Sequence, residues 1–168
     1  MSAASGGYTS LVPAYLKTKF SDKSAELDKI AKVGKRTDPD VEAIANLKPD
    51  LILINNTNKK DELYESLAKI APTVVTEGTG INWKQDFLLI AAALGTTEKA
   101  EKLMEEYNTK AKSVGKKAGS EKTFSFLYAS ADRTRIFAKS SFVGSICADA
   151  SLARPAAAQV EKTSVDLS

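Results

Sequence analysis

The sequence predicts an α/β fold in which a parallel-sheet lobe is joined by a long spine helix to the start of a second α/β lobe. Residues 38–76 alternate helix, strand, helix and strand, the order that produces right-handed crossovers and a parallel sheet. The predicted strand Leu51–Ile54 is apolar at every position, which is typical of a parallel strand buried on both faces. A charged stretch from Glu98 to about Lys117 has one narrow apolar stripe, which favours a spine helix about 30 Å long.

The most informative run is V-G-K-R-T-D-P-D-V-E-A-I-A-N-L-K-P-D-L-I-L-I at residues 33–54. We expect Asp38 to cap a helix whose first residue is Pro39, because the first helical position does not need an N–H. Pro49 ends this helix, since the residue before a proline is driven out of helical conformation. A polar loop begins at Asn55 after the strand, and ligands of open α/β sheets bind beyond such strand ends.

The remaining elements follow from apolar spacing and from residues that break helices or strands. Leu11–Lys19 is predicted to be helical with Pro13 in its first turn, and residues 156–168 carry no regular pattern. Helices are also predicted at 61–70, at 83–94 closed by Gly95, at 98–117 capped by Thr97, and at 142–150; strands are predicted at 73–76, 123–130 and 135–137, the last returning antiparallel.

Composition excludes several function classes. The 168 residues are 43% hydrophobic and 27% charged, with a net charge of +3, and the lysines are scattered among acids rather than clustered as nucleic-acid binding requires. The chain contains no histidine, which argues against Ser-His or Cys-His catalysis and disfavours bare Zn²⁺ or Mn²⁺ as ligands. Cys147, the single cysteine, lies in an apolar stretch and is interpreted as a buried thiol.

Sequence motifs for catalysis or phosphate binding are absent. The chain has neither G-x-G-x-x-G after a strand, nor a P-loop, nor a G-x-S-x-G elbow. A nucleotide-binding α/β enzyme fragment therefore stays open only as a hypothesis that needs residues outside this sequence. A structural fragment without activity is a further alternative, and it would expose an unpaired sheet edge through which it dimerises.

Four motifs in order carry a family resemblance. They are the run at 33–54; L-x-K-I-A-P-T-V-V; N-W-K-Q-D-F with A-L-G and A-E-K-L-x-x-x-Y; and R-I-F-A-K-S-S-F-V-G-S-I. Together they resemble the bacterial periplasmic binding proteins that serve iron–siderophore and corrinoid ABC importers, from about Leu11 to the end of the chain. The resemblance implies two Rossmann-like lobes joined by one long helix, with the ligand between them.

The same resemblance implies the role of the protein. We expect a non-enzymatic, solute-binding component of an ABC transporter that binds a ferric siderophore and has no intrinsic cofactor. Haem or a corrinoid is the alternative ligand. The full-length protein is expected to be a monomer, periplasmic or extracellular and lipid-anchored, that meets an ABC permease. The chain is short for this family, so it resembles an internal fragment: 1–82 the later N-terminal lobe, 83–119 the linking helices and 120–168 the beginning of the C-terminal lobe.

Candidate site residues are carried over from matching positions. Arg36 matches a cleft position that is often basic in siderophore binders, and a guanidinium can bind two anionic oxygens at once. Tyr128 and Ser130 lie where catecholate-binding relatives often carry two arginines, and this departure favours a less anionic complex such as a ferric hydroxamate. Further ligand candidates are Asn56, Asn58 and Lys59 in the loop after the strand, together with Arg135 and Tyr8. Glu42 matches an acidic residue that meets the permease in relatives, and Glu65 is a second candidate.

Overall fold

A computed structural model describes residues 2–5, 11–35, 37–56, 61–78 and 80–167. It confirms the predicted α/β class, with helices and strands interspersed along the chain. The chain divides into two compact units, Met1–Val75 and Thr76–Ser168. The predicted division at residues 82 and 119 stays a prediction; the two long helices both belong to the second unit.

The first unit combines short helices with five strands among its described residues. Its elements are β1 (Ser2–Ser5), α1 (Ala14–Lys19), a 3₁₀ turn (Ser21–Lys23), α2 (Ser24–Asp28), β2 (Ala31–Lys35), β3 (Asp38–Pro39), α3 (Val41–Asn46), β4 (Ile52–Asn55), α4 (Asp61–Ala68) and β5 (Thr73–Thr76). β1 pairs with β2 in parallel, β2 pairs with β3 antiparallel, and β4 neighbours β5.

One apolar core holds this unit together. Val33 of β2, Ile44 of α3, Ile52 of β4 and Leu67 of α4 are buried in it, and Leu67 is only 1% exposed. Because each element contributes one or two apolar side chains to the same core, helices and strands fix one another's positions.

Two expectations for this unit are wrong. Asp38 and Pro39 form β3 instead of starting a helix, and the helix begins after Asp40, whose side chain accepts a hydrogen bond from the N–H of Ala43 at 2.9 Å. Strand β2 is an element that the sequence pattern did not predict. Both changes reflect the antiparallel pairing of residues 38–39 with β2. Gly34, with φ of +89°, permits this pairing, since a Cβ there would lie 2.8 Å from the carbonyl oxygen of Asp38.

The second unit contains long helices and an antiparallel sheet. Its elements are α5 (Trp83–Ala93), α6 (Thr97–Ala118), β6 (Leu127–Ala129), β7 (Thr134–Phe137), α7 (Phe142–Asp149), a 3₁₀ turn (Ala156–Ala158) and β8 (Ser164–Asp166). The strands form one sheet in the order β6-β7-β8, antiparallel throughout. No helix in the described part of the chain is long and apolar enough to cross a membrane.

Glycines permit two close approaches in this unit. A Cβ on Gly115 of α6 would lie 1.8 Å from the carbonyl oxygen of Ala150, and a Cβ on Gly144 of α7 would lie 2.3 Å from that of Ala138. Both contacts require a residue without a side chain. These two contacts pack α7 against the long helix α6 on one side and against residues 138–139, which follow β7, on the other.

The predicted helices and the β7 return are confirmed, while other details differ. The strand predicted at 123–130 is regular only over Leu127–Ala129, and the residue preceding α6 is Thr96, not Thr97. The tail was wrongly expected to lack structure, since β8 pairs with β7 along Arg135–Phe137. A three-residue strand is too short to show an alternating pattern, so pairing with a neighbour decides its conformation.

Candidate functional site

Four predicted site residues, Arg36, Asn58, Lys59 and Tyr8, lie outside the described residues. Of the others in the first unit, Asn56 is exposed directly after β4, at the strand end where the sequence placed ligand contacts. Glu42 is exposed in the first turn of α3, and Glu65 is exposed on α4. Their predicted roles in ligand and permease binding stay predictions.

In the second unit, the sheet brings two candidate residues into one row. Tyr128 of β6 lies opposite Arg135 of β7, which lies opposite Asp166 of β8, so these side chains share one face of the sheet. The guanidinium carbon of Arg135 lies 5.5 Å from the centre of the Tyr128 ring, within the range of a cation–π contact. Tyr128 remains 46% exposed, so this face is accessible to a ligand.

Arg135 has unused hydrogen-bonding capacity. Its Nε is buried and has no hydrogen-bond partner within the described residues. An unpaired buried donor costs free energy, and arginine's planar fork matches carboxylate or other paired anionic oxygens. The sequence could nominate Arg135, but only the strand register shows that it lies over a tyrosine ring.

Ser130 follows β6 in the β6–β7 hairpin, where its hydroxyl contacts polar groups of the turn. Its Oγ lies 2.6 Å from Oδ1 of Asp132 and 3.2 Å from the carbonyl oxygen of Arg133. The hydroxyl hydrogen bond holds the pKa of Asp132 below its usual value, with help from the residue's own backbone and from Arg135. Asp132 therefore adds negative charge beside Arg135, and Ser130 retains only acceptor capacity for a ligand.

An aromatic and ionic cluster joins the helices of this unit, and the sequence pattern did not reveal it. Asp149 of α7 accepts hydrogen bonds from the Tyr107 hydroxyl on α6 at 2.6 Å and from Nζ of Lys84 on α5 at 2.5 Å. The Trp83 ring packs edge-on against Tyr107, with centroids 5.0 Å apart, and its Nε1 donates to Oγ of Ser145 at 3.3 Å. These contacts place Trp83 in the packing between α5, α6 and α7.

The cluster raises the pKa of one of its side chains, Tyr107. Burial first, then the hydrogen bond to Asp149 and its negative charge, raise the pKa of Tyr107 far above the usual value for tyrosine. Lys84 Nζ lies 5.7 Å from the Trp83 ring centre and 5.6 Å from that of Tyr107. With its cation and carboxylate already paired, the cluster is suited to holding helices together.

Metal binding by side chains finds no support. The described residues contain no group of three or more histidine, cysteine, aspartate or glutamate residues positioned to hold an ion. Cys147 is buried as predicted, and burial raises the pKa of its thiol although Arg154 opposes that shift.

The chain belongs to the family described as "Periplasmic binding protein", because the sequence profile of that family matches residues 1–168. Members of this family are solute-binding proteins of transport systems. This finding confirms the family resemblance, at the level of solute binding, that the four sequence motifs indicated.

Two curated relatives match part of the chain. The chain is 35% identical over 128 residues, 75% of its length and 39% of the relative's, to "Probable siderophore-binding lipoprotein YfiY" of Bacillus subtilis. It is 35% identical over 92 residues, 53% of its length and 28% of the relative's, to "Putative ABC transporter substrate-binding lipoprotein YhfQ" of the same organism. The chain thus spans less than half the length of both curated relatives.

A solved structure matches almost the whole chain. Staphylococcus aureus SirA complexed with staphyloferrin B superposes with a TM-score of 0.78 at 28% identity, covering 99% of this chain and 57% of SirA. The likeness therefore extends through both compact units.

Proposed function

We propose that this chain is part of a substrate-binding protein that holds a ferric siderophore for an ABC importer. The observation that carries the proposal is the likeness to SirA, a protein solved with staphyloferrin B, over 99% of the chain. The relative YfiY, whose name also specifies siderophore binding, supports the same ligand class. A ferric siderophore carries its iron already chelated, so the proposed site needs no side-chain iron ligands.

Within the second unit, Arg135 and Tyr128 are the side chains best suited to this ligand. A ferric siderophore presents anionic oxygens around its iron, and Arg135 offers a half-exposed guanidinium beside the exposed Tyr128 ring. The Tyr128 ring packs against the guanidinium of Arg135. It is also exposed enough to contact an aromatic or aliphatic part of the ligand. Arg36, Asn56, Asn58, Lys59 and Tyr8 remain proposed contacts from the sequence, and Ser130 is proposed only as a hydrogen-bond acceptor.

The cellular setting forms part of the proposal. YhfQ and YfiY are both named lipoproteins, which supports a lipid-anchored protein outside the cytoplasmic membrane. Glu42 and Glu65 are exposed carboxylates that would meet basic pockets of an ABC permease. We further propose that the protein is not an enzyme and that the full-length form is a monomer.

Equilibrium dialysis of the chain against a panel of ferric complexes tests the function directly. The panel contains a hydroxamate, a catecholate and a carboxylate siderophore, with haem, a corrinoid and the iron-free chelators as comparisons. We expect retention of at least one ferric complex, and the departure at Tyr128 and Ser130 favours the hydroxamate. Retention of haem or a corrinoid alone would show that the ligand is not a siderophore. Retention of no compound in the panel would refute the proposal for this chain.

Arg135→Ala tests the contact within the sheet, and Arg133→Ala is its matched control. Both substitutions remove one positive charge from the same hairpin, but Arg133 is exposed beside the turn, whereas the cation–π contact with Tyr128 is made by Arg135. We expect Arg135→Ala to weaken ferric-complex binding about 10-fold or more, as for the loss of one charged hydrogen bond, and Arg133→Ala to have little effect. Equal losses in the two variants would indicate long-range charge rather than a contact.

A further inference from the structure

Asp166 faces the candidate arginine from the neighbouring strand. Because β7 runs antiparallel to both β6 and β8, the carboxyl ends of β6 and β8 lie at the same end of the sheet as the start of β7. Asp166 lies opposite Arg135 in this register, and the Cβ atoms of such a pair are about 5 Å apart. The carboxylate of Asp166 therefore shares its sheet face with the proposed ligand contacts Tyr128 and Arg135.

A second carboxylate, Asp132, lies in the turn that precedes Arg135. The hydroxyl of Ser130 holds it in place, with Oγ 2.6 Å from Oδ1 of Asp132. That hydrogen bond, the residue's own backbone and the charge of Arg135 all lower the pKa of Asp132, so this group keeps its negative charge. Arg135 thus has one carboxylate before it in the chain and one on the neighbouring strand.

Neither carboxylate occupies the guanidinium of Arg135. This arginine takes part in none of the ion pairs found among the described residues. The half-exposed guanidinium keeps N–H donors for ligand oxygens, while the two carboxylates lower the positive potential around it. Together with Arg133 in the same turn, two arginines and two aspartates bring the charge of this end of the sheet to zero.

Ferric siderophores differ in net charge as well as in their donor groups. A trihydroxamate loses one proton from each group and forms a neutral complex with Fe³⁺, whereas a triscatecholate loses two from each group and forms a triply negative one. An arginine that offers hydrogen bonds within a charge-balanced surface suits the neutral complex, because oxygens of that complex accept hydrogen bonds without bringing net charge. A triply negative complex would be repelled by both carboxylates.

We propose that Asp166 and Asp132 set the charge preference of the siderophore site at Tyr128 and Arg135, admitting ferric complexes of little net charge and disfavouring strongly anionic ones. The inference rests on the proposed function and adds the residues that discriminate between ligands. Repulsion between one carboxylate and a triply negative complex about 8 Å away corresponds to roughly 3-fold in Kd at physiological ionic strength, and to roughly 7-fold at about 0.01 M.

Equilibrium dialysis with ligands of graded charge tests this preference. A linear ferric trihydroxamate with a terminal amine is singly positive, its N-acetyl derivative is neutral and its N-succinyl derivative is singly negative. These three complexes share their chelating groups, so they isolate the effect of charge. A ferric triscatecholate extends the series to three negative charges, and we expect the parent's Kd to rise with negative charge among the hydroxamates.

Asp166→Asn and Asp132→Asn identify the groups responsible. Asparagine keeps the size of the side chain and an oxygen that can accept from Ser130, so the fold should persist, as circular dichroism would check. Each variant should lower the Kd of the triscatecholate roughly 3-fold and leave that of the N-acetyl complex unchanged. The gain should increase when the ionic strength is lowered. Glu105→Gln, at an exposed position of α6 outside the sheet, removes the same charge and should change no Kd.

The outcomes separate this inference from the proposed function. Retention of none of the ferric complexes by the parent would refute siderophore binding itself, and the charge preference with it. Four results would leave siderophore binding intact and overturn the charge preference. They are retention of the triscatecholate alone, equal affinity of the parent for all three hydroxamate complexes, equal changes for neutral and anionic complexes in the aspartate variants, and the same gain in Glu105→Gln.

Discussion

At the scale of single residues, hydrogen-bond acceptors placed just before helices set where those helices begin. Asp40 accepts from the N–H of Ala43 at 2.9 Å, and Ser141 accepts from the N–H of Gly144 at 3.0 Å. Each satisfies one of the backbone donors that a first helical turn leaves unpaired. Ser141 is also buried, and its hydroxyl donates to the carbonyl oxygen of Ala138, so it joins α7 to the end of β7.

Asp40→Ala should lower the free energy of unfolding by about 1 kcal/mol, because the cap to Ala43 is lost. Urea unfolding followed by circular dichroism measures the change. Asp38→Ala is the control, since Asp38 is exposed in β3, and its replacement should cost less than about 0.5 kcal/mol. A larger effect at Asp38 would contradict the observed start of α3.

At the scale of elements, α7 is positioned by close backbone contact and by the Asp149 cluster. Gly115 lets the end of α7 approach α6, while Asp149 binds both Lys84 of α5 and Tyr107 of α6. Three helices are thus held at one place, by contacts that lie up to 65 positions apart in the sequence.

Gly115→Ala should destabilise the protein, by about 1–3 kcal/mol, because the new methyl group would lie 1.8 Å from the carbonyl oxygen of Ala150. The gain in helix propensity, about 1 kcal/mol, opposes this cost without relieving the overlap. Ser113→Ala, at an exposed position of the same helix, should be neutral or slightly stabilising. Thermal unfolding distinguishes the two, and an unchanged midpoint for Gly115→Ala would show that α7 does not pack as described.

Tyr107 should make stability fall at alkaline pH. Its pKa is raised in the folded state, so the stabilisation is complete below about pH 10, the pKa of an unperturbed tyrosine, and is lost as the pH rises further. Tyr107→Phe should cost about 0.5–1.5 kcal/mol near neutral pH and flatten the alkaline decline. Tyr64→Phe, at an exposed position, should leave the decline unchanged. Urea unfolding at several pH values measures both, and equal slopes for parent and Tyr107→Phe would contradict the assignment.

At the scale of the whole molecule, ligand binding and unfolding are linked. A ferric siderophore that binds only the folded chain should raise its melting temperature progressively, with about 1.4 kcal/mol gained for each tenfold increase in ligand above the dissociation constant. Differential scanning fluorimetry measures this shift, with the iron-free chelator as control. A shift with ATP or NAD instead would support the nucleotide-binding alternative.

Local rules predicted much of the fold because the elements concerned carry their own signals. Leu51–Ile54 is uniformly apolar, and α6 shows a clear stripe, so both were recognised. The start of α3 was misplaced because Asp38-Pro39 and Asp40 both suit a helix N-terminus, and the pairing of Asp38 with Lys35 decided between them. The β8 strand could not be predicted, since three residues have too few positions to form a pattern.

The candidate site was predictable only as a set of residue types. Family motifs nominated Tyr128, Ser130 and Arg135, but their spacing does not reveal which side chains share a face. The antiparallel register places Arg135 over Tyr128 and leaves Ser130 to close the turn.

The sequence by itself determined the α/β class, the main helices and the family, because these depend on local periodicity and on motifs in order. The tertiary structure alone decided the Arg135–Tyr128 contact, the Asp149 cluster and the pairing of β8 with β7. Each of these depends on strand register or helix packing, which bring together residues distant in the chain, and the free energy that selects them comes from contacts that no single segment contains.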